Sequence, residues 1–120
     1  MRLLLFCCVI FFAIGCDKST KTVINGTYIG TFERNGVVAQ VELTFSNGQF
    51  NGQSDQDLYP AICSGTYTVS GNTISFENGC MWTANFDWTL ILSENWTINS
   101  SNNSLILTKA NGDVYNLIHQ

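Results

Sequence analysis

Basic side chains, histidine, proline and helical periodicity are all scarce in this chain of 120 residues, and each scarcity removes a class of function. Five Lys and Arg stand against nine Asp and Glu, so the clustered positive surface that nucleic acid requires is missing. The one histidine, His119, sits next to the C-terminus on a strand end expected to fray. It lacks the convergent partners that a catalytic triad or a zinc site needs. Glu33, Glu42, Asp87 and Glu94 fall mostly on outward positions of the alternation, which leaves paired-carboxylate chemistry without a cleft. Asp55 and Asp57 have no third acidic ligand at suitable spacing, whereas calcium wants six to eight oxygens, so they read as solvated loop acids. No glycine-rich phosphate loop leads from a strand into a helix. The expectation is no enzyme, no metal, no cofactor and no nucleic-acid partner.

Apolar residues are plentiful, and the longest run of them comes first. Arg2 precedes an almost wholly apolar stretch from Leu3 to Ile14, too short for a comfortable membrane span and laid out like an export signal over residues 1–15. Gly15 directly before Cys16 resembles the lipobox of bacterial lipoproteins, with Ala13 where Leu is usual. The resemblance implies cleavage before Cys16, acylation of its thiol and attachment to a membrane of the cell envelope, expected to be the outer one. The alternative is an ordinary cleaved leader that leaves Cys16 as a free or removed thiol.

Five cysteines are an awkward number for an exported protein, and the lipoprotein reading gives each a fate. Cys7 and Cys8 leave with the leader, Cys16 takes lipid, and Cys63 and Cys80 remain as one pair in an oxidising compartment. Loss of Arg2 takes the formal charge from −4 to −5, which argues against polybasic attraction to anionic lipid. The lipid anchor alone then supplies the membrane contact. Residues 16–24 begin polar and read as a tether; fully extended, Asp17 to Ile24 reach roughly 28 Å.

From Asn25 to Gln120 the pattern is two-residue alternation broken by turn signals. Asn35-Gly36 sets Phe32 opposite Ala39, Gly30 opposite Val41 and Tyr28 opposite Leu43 on one face. Asn47-Gly48 adds Phe45 opposite Phe50 on that face, and a one-residue slip would invert all of it. Gly71-Asn72 pairs Val69 with Ile74 and Tyr67 with Phe76. Counted outward, the same register sets Cys63 opposite Cys80 in a close pair on the apolar face, with Cα atoms at about 4.5 Å, within disulfide range. Phe86, Trp88, Leu90 and Leu92 alternate as a further strand, with a bulge near Ser93-Glu94 before Trp96 and Ile98. Asn102-Asn103 sets Ile98 opposite Leu107. A three-residue Ala110-Asn111-Gly112 loop then pairs Leu107 with Tyr115 and Leu105 with Leu117.

The sum is about eight short antiparallel strands with one inner face. This predicts an all-β fold, an eight-stranded up-and-down barrel closed by its first and last strands and carrying one disulfide. A two-sheet sandwich is the alternative, disfavoured because nearly every link is a hairpin. The stretches Asn25-Gly-Thr-Tyr-Ile-Gly-Thr-Phe32, Gly65-Thr-Tyr-Thr-Val-Ser-Gly-Asn-Thr-Ile-Ser-Phe76 and Leu105-Ile-Leu-Thr-Lys-Ala-Asn-Gly-Asp-Val-Tyr-Asn-Leu117 carry a resemblance to the small lipocalin-like (calycin-like) lipoproteins of Gram-negative bacteria. Gly26-Thr27-Tyr28 is similar to the Gly-x-Trp opening of lipocalins, with Tyr in place of Trp. The resemblance implies an envelope protein that binds a small apolar ligand.

Two uses of such a barrel are expected. In one, Tyr28, Phe45, Phe50, Tyr67, Phe76 and Trp88 line a cavity for a small hydrophobic or amphipathic ligand, with Trp82 at its mouth. In the other, the same aromatics fill the barrel. The loops near Tyr59-Pro60 and Met81-Trp82 then bind a protein partner.

Overall fold

The computed structural model describes residues 24–120. The leader, the lipid attachment at Cys16 and nearly all of the tether lie outside the described residues. The remainder is one closed antiparallel barrel of eight strands in sequential order. They are β1 (Gly26–Arg34), β2 (Val37–Ser46), β3 (Gln49–Ser54), β4 (Cys63–Ser70), β5 (Thr73–Asn78), β6 (Glu94–Ser101), β7 (Ser104–Thr108) and β8 (Val114–His119).

Local chemistry places the turns. Asn35 and Gly36 both take positive φ (50° and 81°), as do Asn47 and Gly48 (51° and 78°), the backbone a two-residue hairpin loop demands. The registers follow: Phe32 faces Ala39 and Tyr28 faces Leu43, Phe45 faces Phe50, Tyr67 faces Phe76, and Leu107 faces Tyr115. Gly112 (φ 98°) closes the three-residue loop, with the Lys109 amide donating to the Asp113 carbonyl at 3.0 Å. β1 closes on β8 through Gly30 opposite Leu117 and Phe32 opposite Tyr115. A Cβ at Gly30 would collide with the Asn116 carbonyl oxygen, so the seam needs glycine there.

The inner face packs as one cluster in which Leu43, Phe45, Ile74, Leu92, Leu105, Leu107, Tyr115 and Leu117 have no measurable exposure. The outward positions of β1 and β2 include Glu33, Gln40 and Glu42, which meet water. Ile24 seals the end at which the chain enters. The opposite end carries the two long loops, residues 55–62 and 79–93. They are stitched together: the Ala61 amide donates to the Leu90 carbonyl (3.0 Å) and the Leu92 amide donates to the Ala61 carbonyl (2.9 Å).

Three expectations need correction. The run from Phe86 to Leu92 is no strand: it holds a 3₁₀ turn at Trp88–Leu90, and β6 starts only at Glu94. The Asp87 carboxylate accepts from the Thr89 amide (3.1 Å) and hydroxyl (2.6 Å), so local capping satisfies a backbone that a ladder would otherwise use. The Cys63–Cys80 disulfide forms, but not as a pair within the ladder. The β4–β5 ladder stops at Gly65 opposite Asn78. Cys63 takes φ 58° instead, and the cysteine Cα atoms stand 6.5 Å apart. That turn of the backbone carries Cys63 off the inner face and leaves it exposed. Finally, the β8 end is held. His119 pairs with Tyr28, its ring 4.9 Å from the Tyr28 ring, and the Gln120 amide donates to the Thr27 carbonyl at 2.9 Å.

Candidate functional site

Five of the seven expected ligand-binding aromatics do come together on the inner face, and there they touch one another. Phe45 lies edge-on to Tyr28 (5.7 Å between ring centres) and to Tyr67 (5.0 Å), and 6.4 Å from Phe76. Phe76 in turn lies edge-on to Phe50 at 5.2 Å. Tyr67 donates its hydroxyl to the Ile24 carbonyl at 2.7 Å, tying the entering chain across that end of the barrel. Burial raises the Tyr28 phenol above its ordinary range, with the neighbouring Tyr67 adding to it; burial raises Tyr67 as well. At the far end Tyr115 packs against Phe32 and Trp96, with ring centres 5.0 and 5.2 Å away. These rings occupy the space a lumenal ligand would take.

The other two aromatics lie outside the barrel. Trp88 is 57% exposed on the 3₁₀ turn, because the segment expected to carry it inward as a strand is the loop 79–93. Its indole N–H donates to the Thr83 carbonyl at 2.9 Å. Trp82 is half-buried and stacks on Phe86, with planes 20° apart and centres at 5.6 Å.

Between this loop and the barrel wall lies an open cleft of about 560 Å³. It forms because the β5–β6 ladder begins only at Phe76 opposite Glu94, so the chain beyond that rung splays apart. Phe76, Met81, Trp82, Trp88 and Ile91 supply apolar walls, while Glu77, Asn78, Ser93 and Glu94 supply the polar lining. Phe76 belongs to both core and cleft. A second cleft of about 390 Å³ lies across Cys80, Met81 and Trp82, against Leu58, Pro60 and Ile62 of the other loop.

Two polar groups hold the cleft in shape. Asn78 donates to the Ile62 (2.7 Å) and Leu92 (3.2 Å) carbonyls and accepts from the Cys80 amide (3.0 Å) and the Trp82 indole (3.2 Å). One side chain at the end of the ladder thus joins both loops with its full hydrogen-bonding capacity. Arg34 forms the other fastening. Its Nε and Nη2 fork onto buried Asp113 at 2.7 and 2.6 Å. The same guanidinium donates to the Thr89 hydroxyl (3.0 Å), the Thr89 carbonyl (3.1 Å) and Asp87 (3.4 Å). The Asp113 hydrogen bond, strengthened by its charge, raises the Arg34 pKa further above its already high ordinary value. The two Thr89 hydrogen bonds, aided by Arg34, hold Asp87 below the usual carboxylate range.

Neither fastening is marked by the sequence pattern. The observed closure pairs Glu33 with Val114, and one step further along the seam brings Arg34 beside Asp113. Nothing local marks Asn78, whose partners come from three separate segments. Among the described residues no group of three His, Cys, Asp or Glu side chains is arranged to hold a metal ion.

The fold and site define a class: a closed, filled, disulfide-bonded eight-stranded barrel with an apolar cleft on its loop end. No family model, curated protein or solved structure matches the chain.

Proposed function

We infer that this is a lipid-anchored protein of the bacterial cell envelope whose lipocalin-like barrel binds a small apolar or amphipathic ligand in the cleft beside Trp82 and Trp88. The observation that carries the reading is the cleft itself. Its volume of about 560 Å³ falls in the range of small-molecule sites, and its walls are aromatic and aliphatic with a few polar groups. Trp88 at 57% exposure and Met81 at 97% are large apolar side chains left facing water at one place. In this reading the barrel is the rigid support and its lumen is not the binding site.

The chain enters the barrel at Ile24, and the cleft lies at the other end. An acyl group on Cys16 would attach the chain to the bilayer through the end of the barrel opposite the cleft.

The second reading is a protein-binding module, favoured by Met81 and by Leu58 (47% exposed), both on the loop end. Methionine and aromatic side chains are enriched in such contacts. One experiment separates the two. The mature chain is exported behind a conventional leader with Cys16→Ser, and native mass spectrometry is run on it before and after exposure to an envelope lipid extract. A small-molecule adduct that Trp88→Ala removes supports the ligand reading. A chain that remains bare throughout, but is captured by an envelope protein through the same loop, replaces it with the second. For the anchor, wild-type chain should partition with membranes and the Cys16→Ser chain should not.

A further inference from the structure

Charge is distributed unevenly around the cleft. Among the described residues its ionisable lining is Glu77 and Glu94, with no basic side chain. The two cations of the described residues, Arg34 and Lys109, already have partners. Arg34 is held by Asp113 and Asp87, and Lys109 sits 5.5 Å over the Trp96 ring. Lys109 also reaches Glu94, at 3.6 Å, but that carboxylate is 73% exposed and such a pair is weak. Glu77 has no cationic partner among the described residues. The same cleft carries the exposed indole of Trp88 and the half-buried one of Trp82, aromatic surfaces that attract a cation through the ring quadrupole.

We propose that the ligand of this cleft is a small amphiphilic cation, its apolar body against Trp82, Trp88 and Phe76 and its charged head beside Glu77 and Glu94. The proposal rests on the reading of the cleft as a small-molecule site and narrows its chemistry. A fatty acid or another anionic amphiphile meets two carboxylates, only one of them countered, weakly, by Lys109. A neutral amphiphile gains the apolar walls but nothing from the acids. A cation gains both.

The test uses three amphiphiles with one tail and different heads: decyltrimethylammonium, decyl maltoside and decyl sulfate, each below its micelle concentration. They are titrated into the mature Cys16→Ser chain and followed by amide chemical shifts. The cation should bind at least about threefold more tightly than the neutral head, the size expected for exposed charges. That advantage should shrink as salt shortens the screening length. Glu77→Gln with Glu94→Gln should abolish the cation's advantage over the neutral probe, and Trp88→Ala should weaken every probe. Equal affinity for all three heads, or preference for the sulfate, overturns the cation proposal and leaves the cleft as a general apolar site. If no probe shifts the amides of 76–94, the ligand reading falls together with the proposal.

Discussion

Arg34 is the residue whose removal should cost most for its size. Its partner Asp113 is buried, with 2% of its side chain exposed, and accepts both guanidinium bonds plus one from Asn111 at 3.2 Å. Arg34→Met leaves that carboxylate without its charge partner, so we expect a loss of about 3 kcal/mol in urea unfolding. Arg34→Lys should fall between the two, since it keeps the charge and loses the fork. Asp87 titrates in the opposite regime, exposed but hydrogen-bonded. Its folded pKa is depressed, so its contribution is present above the unfolded value near 4 and is lost as pH falls through the folded one. The Thr89 amide shift should accordingly titrate with a midpoint below the usual carboxylate range; a midpoint at or above that range would show that the Asp87 cap is not formed. Tyrosine sets the alkaline limit. Burial raises Tyr28 and Tyr67, and raises Tyr115 well above its ordinary value, with Asp113 adding to the last and Arg34 opposing it. A raised phenol stabilises fully below the unfolded value near 10 and loses its contribution as pH climbs towards the folded one. The urea midpoint should therefore drop above pH about 10, and less steeply in Tyr115→Phe. The Tyr115 hydroxyl is also buried with no hydrogen-bond partner among the described residues. Tyr115→Phe should thus be neutral, or stabilising by up to about 1 kcal/mol, at pH 7. Only the closure of first strand on last was legible, not the register that brings Arg34 to Asp113. The Tyr115 orphan was not legible either, because a hydroxyl's surroundings are assembled from strands distant in the chain.

Among the elements, the seam between β1 and β8 and the loop 79–93 depend on different things. The seam depends on close backbone approach. Gly30→Ala would push a methyl group into the Asn116 carbonyl oxygen, and we expect at least about 2 kcal/mol of destabilisation with faster amide exchange in β8. Exchange unchanged in β8 would show that the strand shifts to accept the methyl. The loop depends on cross-links: the Cys63–Cys80 disulfide, Asn78 and Arg34. Replacing both cysteines by serine should cost about 3 kcal/mol for a loop of this size in the chain-entropy model. It should also raise amide exchange in 79–93 before the barrel strands respond. The hairpins were readable because Asn-Gly pairs and alternation are local signals. The loop was misread for the same reason, since Phe86, Trp88, Leu90 and Leu92 alternate as a strand would. The four then part company: Leu92 goes fully into the core, Phe86 and Leu90 lie half-buried, and Trp88 stays out.

At the scale of the molecule, the inner faces of the strands pack as one cluster. A mature chain purified from an oxidising compartment should show an intact mass two hydrogens below that of the reduced chain, as the disulfide requires. If the cleft binds as proposed, ligand addition should perturb the emission of a Trp96→Phe chain, whose remaining indoles at Trp82 and Trp88 line the cleft. The sequence by itself determined the number of strands, their pairing, the closure of first on last, and which cysteines meet. The strand count and the hairpin pairing follow from a period of two and from residues that tolerate positive φ, both properties of a few neighbouring positions. The closure follows from the need to cover two free edges, and the cysteine pair from the two thiols left once the leader and lipid site are set aside. Only the tertiary structure decided that the lumen is full, that Trp88 belongs to an outer cleft, and that Asn78 and Arg34 shape it. Whether a barrel is hollow depends on the summed volume of side chains converging from all eight strands and both loops. Where a ladder stops depends on which competing partner, capping carboxylate or neighbouring strand, reaches the backbone first.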